Sequence, residues 1–170
     1  MVTERVAAGW KPYLLSFMFE QIGGSPQRVQ KVMEAEAERV YATLLTRIVR
    51  DPLSPSHAWK RPVWIGCVDF PVPKHGRKAL RDVSLNDGAH LHFIALVGPN
   101  PRMKESLAEH LDEDQARYVR HPLFRIHAVE ITDTPARATR YVLKSLERGR
   151  VSPDDVIVLP RAVSELRSAA

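Results

Sequence analysis

Residues 89–97 read AHLHFIALV, a run closed by Gly88 on one side and Gly98-Pro99-Asn100-Pro101 on the other. Seven apolar residues and two histidines between turn formers predict a strand, since a buried helix is usually longer. The stretch before it, Pro62–Phe70 (PVWIGCVDF), is β-rich as well. The two are joined by a polar connection, residues 71–88, and together predict an extended β-hairpin with a long basic link. Further upstream, Tyr13–Phe19 (YLLSFMF) predicts another buried strand, followed by Gly23-Gly24. Ser25-Pro26 has the form of an N-cap with proline at the first helical position. From there Val29, Val32, Met33, Val40, Leu44 and Ile48 recur at helical spacing, so an amphipathic helix should run to Asp51-Pro52.

Downstream of the hairpin, Arg102–Arg120 has a helical pattern with Leu107, Leu111 and Ala116 on one side. Leu123–Ile131 (LFRIHAVEI) alternates as a strand. Asp133-Thr134-Pro135 opens a helix over Ala136–Arg148, and Gly149 stands where a C′ glycine belongs. Val156–Leu159 offers a last short strand and Ala162–Arg167 a short helix. The leading order is βαββαβ, which predicts an α+β fold of the ferredoxin-like, RRM-like kind. Its antiparallel sheet would carry helices packed on one face. Residues 1–150 are expected to form the domain and 151–170 a C-terminal extension.

Composition narrows the classes. The chain has 170 residues, 44% hydrophobic and 26% charged, with a formal net charge of +5. That excludes a mainly disordered chain and favours an anionic partner. A single cysteine, Cys67, excludes an intrachain disulfide and a four-cysteine zinc site and suits a reducing, cytoplasmic setting. Residues 1–10 include Glu4 and Arg5 without an apolar run, so no secretory leader is expected. No apolar stretch approaches the roughly 20 residues of a membrane span.

Three features carry chemistry. His90 and His92 are two apart on a predicted strand, so both rings project from one face and are close enough to share a divalent ion. Asp69, near the end of the neighbouring strand, is the natural third ligand, with Asp82 and Asp87 in the connection as further candidates. A pair of polar surface histidines would give the same pattern. Tyr141 and Lys144 are three apart on a predicted helix and share a face. A phenol is a poor nucleophile at neutral pH, so phosphoryl transfer to tyrosine needs a metal-polarised phosphate and a nearby cation. A packed tyrosine beside a solvated lysine is the plainer alternative. Finally, Arg137 and Arg140 on that helix, with Lys74, Arg77 and Lys78 in the connection, could cradle a phosphodiester backbone or simply form a solvated basic surface.

The His90-Leu91-His92 strand followed by the Tyr141-x-x-Lys144 helix resembles the HUH endonucleases, and among them the single-tyrosine rolling-circle replication initiators of phages and plasmids. The resemblance covers residues 13–148 in the right order, with Ser16 in the polar slot of the first motif strand. It implies site-specific nicking and joining of single-stranded or hairpin DNA with Mg²⁺ or Mn²⁺. In this reading Tyr141 forms a 5′-phosphotyrosine, Lys144 assists, and His90, His92 and Asp69 hold the metal. Some relatives carry a second tyrosine where this chain has Ser145. A Gly-x-x-x-x-Gly-Lys-Ser/Thr loop is absent, so unwinding would fall to a host helicase, with a host polymerase extending the free end. The alternatives are a non-catalytic nucleic-acid-binding module of the same fold and a transposase-like relative of the same chemistry.

Overall fold

The computed structural model describes residues 1–70 and 85–161. Its strands are β1 (Lys11–Phe19), β2 (Val63–Asp69), β3 (His90–Val97), β4 (Leu123–Glu130) and β5 (Ile157–Leu159). They form one antiparallel sheet in the order β4-β1-β3-β2-β5. Its helices are α1 (Val2–Ala7), α2 (Pro26–Ile48), α3 (Leu107–Glu113), α4 (Pro135–Val142) and α5 (Lys144–Glu147). The expected α+β, ferredoxin-like architecture is present. β5 adds a fifth strand beside β2, so the chain beyond residue 150 joins this sheet as far as Leu159.

Alternation along the strands divides the molecule into two layers of packing. Tyr13, Leu15, Phe17 and Phe19 of β1 and Leu91, Phe93, Ala95 and Val97 of β3 point to the face covered by α2 and α3. There Met33, Ala37, Val40, Leu44 and Ile48 of α2 close the main core. Ser25 caps this helix by accepting a bond from the Arg28 amide, and Pro26 occupies its first turn. Phe17, Trp64, Phe93 and Tyr41 meet there mostly edge to face, at centroid distances of 5.2 to 5.9 Å.

The opposite face carries His90, His92, Ile94 and Leu96. A second, smaller cluster of Trp10, Ile94, Leu96 and Val142 covers one end of it, with Val2 and Val6 of α1 and Ala138 of α4 packed against it. Helix α1 was not anticipated from the sequence. The predicted 102–120 helix is shorter than its pattern, as α3 starts only after Ser106 and passes into a 3-10 turn at Gln115–Arg117. A capping box fixes that start: Ser106 accepts from the Glu109 amide and Glu109 accepts from the Ser106 amide. The predicted 136–148 helix is interrupted at Leu143, giving α4 and α5, and Gly149 follows with φ 63°. Among the described residues no helix is long and apolar enough to cross a membrane.

Candidate metal centre

The hairpin register places the first ligand. Asp69 at the end of β2 lies directly opposite His90 at the start of β3, and Cys67 opposite His92. His90, His92 and Asp69 therefore gather at one end of the sheet face opposite the main core. Gly66 keeps the two strands close here, because a Cβ at that position would stand 2.0 Å from the His92 carbonyl oxygen and 2.6 Å from the Phe93 ring.

The donor atoms form a small triangle. His90 Nε2 and His92 Nε2 are 2.9 Å apart, and Asp69 Oδ2 is 3.4 Å from the first and 3.8 Å from the second. Ligands about 2.1 Å from a shared ion stand roughly 3.0 to 3.4 Å apart in octahedral or tetrahedral geometry. The triangle matches that requirement with little adjustment, so the Asp69–His90–His92 cluster could hold a metal ion. Two imidazoles and a carboxylate suit several divalent metals and leave coordination positions for other ligands.

Supporting contacts set the orientation of each ligand. His90 Nδ1 donates to the Gly88 carbonyl at 2.8 Å, which fixes the ring with its Nε2 facing the cluster. His92 Nδ1 lies 3.0 Å from Ser16 Oγ, across the β1–β3 pair. His92 is buried, and burial together with the neighbouring His90 lowers its pKa to about 4. Its imidazole is therefore neutral at pH 7, the form that binds metal. Asp69 is also buried. Burial alone would raise its pKa, yet hydrogen bonds from His90, Lys144 and Ser145 hold it well below the ordinary carboxylate range. The two Nε2 atoms, at hydrogen-bond distance, need a proton or a cation between them, since two bare lone pairs would repel.

Residues from the last helices complete the site. Lys144 Nζ is 2.5 Å from Asp69 Oδ2 and 4.2 Å from the centre of the Tyr141 ring. Tyr141 itself lies 5.2 Å, ring to ring, from His92, and is 45% exposed. Ser145, almost fully buried, donates to Asp69 Oδ1 at 3.0 Å. The interruption at Leu143 falls between Tyr141 and Lys144, and directly after it Lys144 and Ser145 bind Asp69. In the present arrangement the Lys144 ammonium sits on the carboxylate oxygen that faces the histidines.

The structure thus brings together five of the sequence-predicted residues: Asp69, His90, His92, Tyr141 and Lys144. Arg137 and Arg140 are exposed on α4, with Arg140 3.9 Å from Glu147. Lys74, Arg77, Lys78 and Asp82 lie outside the described residues, as does the Asp87 side chain. Sequence reasoning missed Ser145 as a partner of Asp69. Its only signal was a small polar residue directly after the lysine of Tyr-x-x-Lys. The chain matches no protein-family profile, no curated protein and no solved structure.

Proposed function

We propose that this protein is a metal-dependent single-strand DNA nicking and joining enzyme that works through Tyr141, of the rolling-circle initiator kind. One observation carries the reading. Tyr141 and Lys144, about fifty residues beyond the histidines, fold back onto the sheet face where Asp69, His90 and His92 converge. The plainer alternatives of a packed tyrosine and two surface histidines fit less well, because His92 and Asp69 are buried while the phenol is exposed.

Asp69, His90 and His92 would hold the ion, taken to be Mg²⁺ or Mn²⁺. A bound divalent ion supplies positive charge for a scissile phosphate and orients it. The chain's own groups do the rest. Tyr141 is open to solvent on one side and can meet a phosphodiester. Its phenolic oxygen attacks phosphorus, the P–O3′ bond breaks, and the products are a 5′-phosphotyrosine and a free 3′-hydroxyl after protonation of the leaving oxygen. Lys144 stands beside the Tyr141 ring, where its positive charge would stabilise the charge developing on phosphate. Ser16 and Ser145 fix His92 and Asp69. Attack by a 3′-hydroxyl on the phosphotyrosine reverses the step and joins strands. Arg137 and Arg140, exposed on the Tyr141 helix, would contact the backbone and make binding fall with salt.

The experiment is covalent trapping. The protein is incubated with labelled single-stranded and hairpin oligonucleotides, with Mn²⁺ or with EDTA, and resolved on a denaturing gel. A metal-dependent adduct that is lost in both Tyr141→Phe and His92→Ala supports the reading. Binding without adduct across the pool turns it toward a non-catalytic module.

A further inference from the structure

At the far end of the sheet from the metal cluster, the loop between α2 and β2 presents two large apolar side chains to water. Leu53 is 86% exposed and Trp59 61%. β2 runs from Val63, opposite Leu96, to Asp69, opposite His90, so this loop stands about 20 Å from the cluster along the strand. The loop is well tied down. His57 Nδ1 lies 3.1 Å from the Asp51 carbonyl oxygen, Arg61 Nε donates to the Pro52 carbonyl, and Tyr41 Oη donates to the Pro62 carbonyl. Trp59 is therefore held out by an ordered backbone, and an exposed indole is an unusual surface residue.

Its surroundings are cationic. Lys60 Nζ lies 5.2 Å over the Trp59 ring, and Arg50 and Arg61 flank the loop. Arg102 joins them from the β3–α3 connection, its amide donating to the Ile48 carbonyl and its guanidinium to the Thr46 carbonyl. Asp51 is the one carboxylate within the 50–61 segment. Arg102 has a structural task in those carbonyl contacts. Trp59 does not, because little of its ring is buried.

We infer that Trp59 is a base-stacking platform in a second contact site for single-stranded nucleic acid, separate from the metal cluster, with phosphates met by the exposed Lys60 and Arg50. An exposed aromatic ring accepts any base, and adjacent cations neutralise the backbone, which is the chemistry of sequence-tolerant single-strand binding. The Lys60 ammonium lies over one face of the ring, so a base stacks on the other face or takes the place of the ammonium. This site shares its partner with the proposed function but needs no nicking chemistry.

The chain supplies its own probe. Trp64 is fully buried and Trp10 is 9% exposed, so Trp59 is the indole that a solvent-side ligand reaches first. The 170-residue chain is titrated with fluorescein-labelled oligo(dT) of about 15 nucleotides at low salt in EDTA. Tryptophan emission and label anisotropy are both followed. Quenching is expected in the wild type, and the quenched component should be missing in Trp59→Phe. Trp59→Ala should bind about tenfold more weakly, within the range for loss of one stacked base. Lys60→Ala should lower the slope of log K against log salt by about one. No binding, or equal binding by Trp59→Ala with unchanged emission, overturns the inference. Quenching without any metal-dependent adduct sinks the nicking reading and leaves this site standing, whereas adduct formation without quenching does the reverse.

Discussion

Ser145→Ala is the most informative single substitution outside the ligand triangle. The hydroxyl is almost fully buried and donates to Asp69 Oδ1 at 3.0 Å, tying α5 to the end of β2. Removing it deletes one hydrogen bond to a buried carboxylate, and no solvent replaces it. A bond of that kind contributes about 2 kcal/mol. For a domain of this size the melting temperature should fall by about 4–8 °C. The same bond fixes the rotamer of the carboxylate that would ligate the metal, so affinity for Mn²⁺ should fall by about 10- to 100-fold. Scanning calorimetry and isothermal titration with Mn²⁺ measure the two effects. A double-mutant cycle with Asp69→Ala isolates the contact, because Ser145→Ala should cost little once the carboxylate is gone. An unchanged melting temperature with unchanged Mn²⁺ affinity would refute the positioning role. So would a loss of the same size in the Asp69→Ala background, which would make Ser145 a packing residue alone.

Three more outcomes are expected. Lys144→Met should bind Mn²⁺ more tightly in calorimetric titration, because the ammonium 2.5 Å from Asp69 Oδ2 no longer competes for that oxygen, while adduct formation slows; weaker Mn²⁺ binding would contradict the competition. Buried Glu36 would be raised by burial, but bonds from Arg120 and Arg39 outweigh this and hold its pKa below the ordinary value. Its folded pKa is depressed, so its contribution is present above the unfolded pKa of about 4.3 and disappears as pH falls through the folded value. The melting-temperature gap between wild type and Glu36→Gln should thus be widest near neutrality and close in acid; a gap independent of pH would be the wrong sign of behaviour. Gly66→Ala should destabilise the fold by about 1–3 kcal/mol or more, since its Cβ meets the His92 carbonyl and the Phe93 ring, and denaturant titration would expose a tolerated substitution.

Much of this arrangement was legible in the chain. The apolar runs at 13–19, 62–70, 89–97 and 123–131 are strands because each is short, β-favouring and closed by turn formers. A period of two then placed His90 and His92 on one face, and the hairpin brought Asp69 opposite His90. What could not be read depends on contacts distant in sequence. Helix α1 has only six residues and gains its stability from Trp10 and the Ile94–Leu96 surface. The break at Leu143 accompanies the Lys144 and Ser145 bonds to Asp69, which no local pattern encodes. The start of α3 was available locally, since Ser106-x-x-Glu109 is a capping box.

The central claim is that Tyr141 takes up the 5′-phosphate in a reaction that depends on the Asp69–His90–His92 cluster. Trypsin cuts after Arg140 and Lys144, so the adduct should be found on the four-residue peptide Tyr141–Lys144. Mass spectrometry of Mn²⁺-treated protein after nuclease trimming should find this peptide carrying a nucleotide on the phenolic oxygen. The modification should be absent with EDTA and in His92→Ala. A nucleotide on another residue, or one formed equally without metal, would contradict the account.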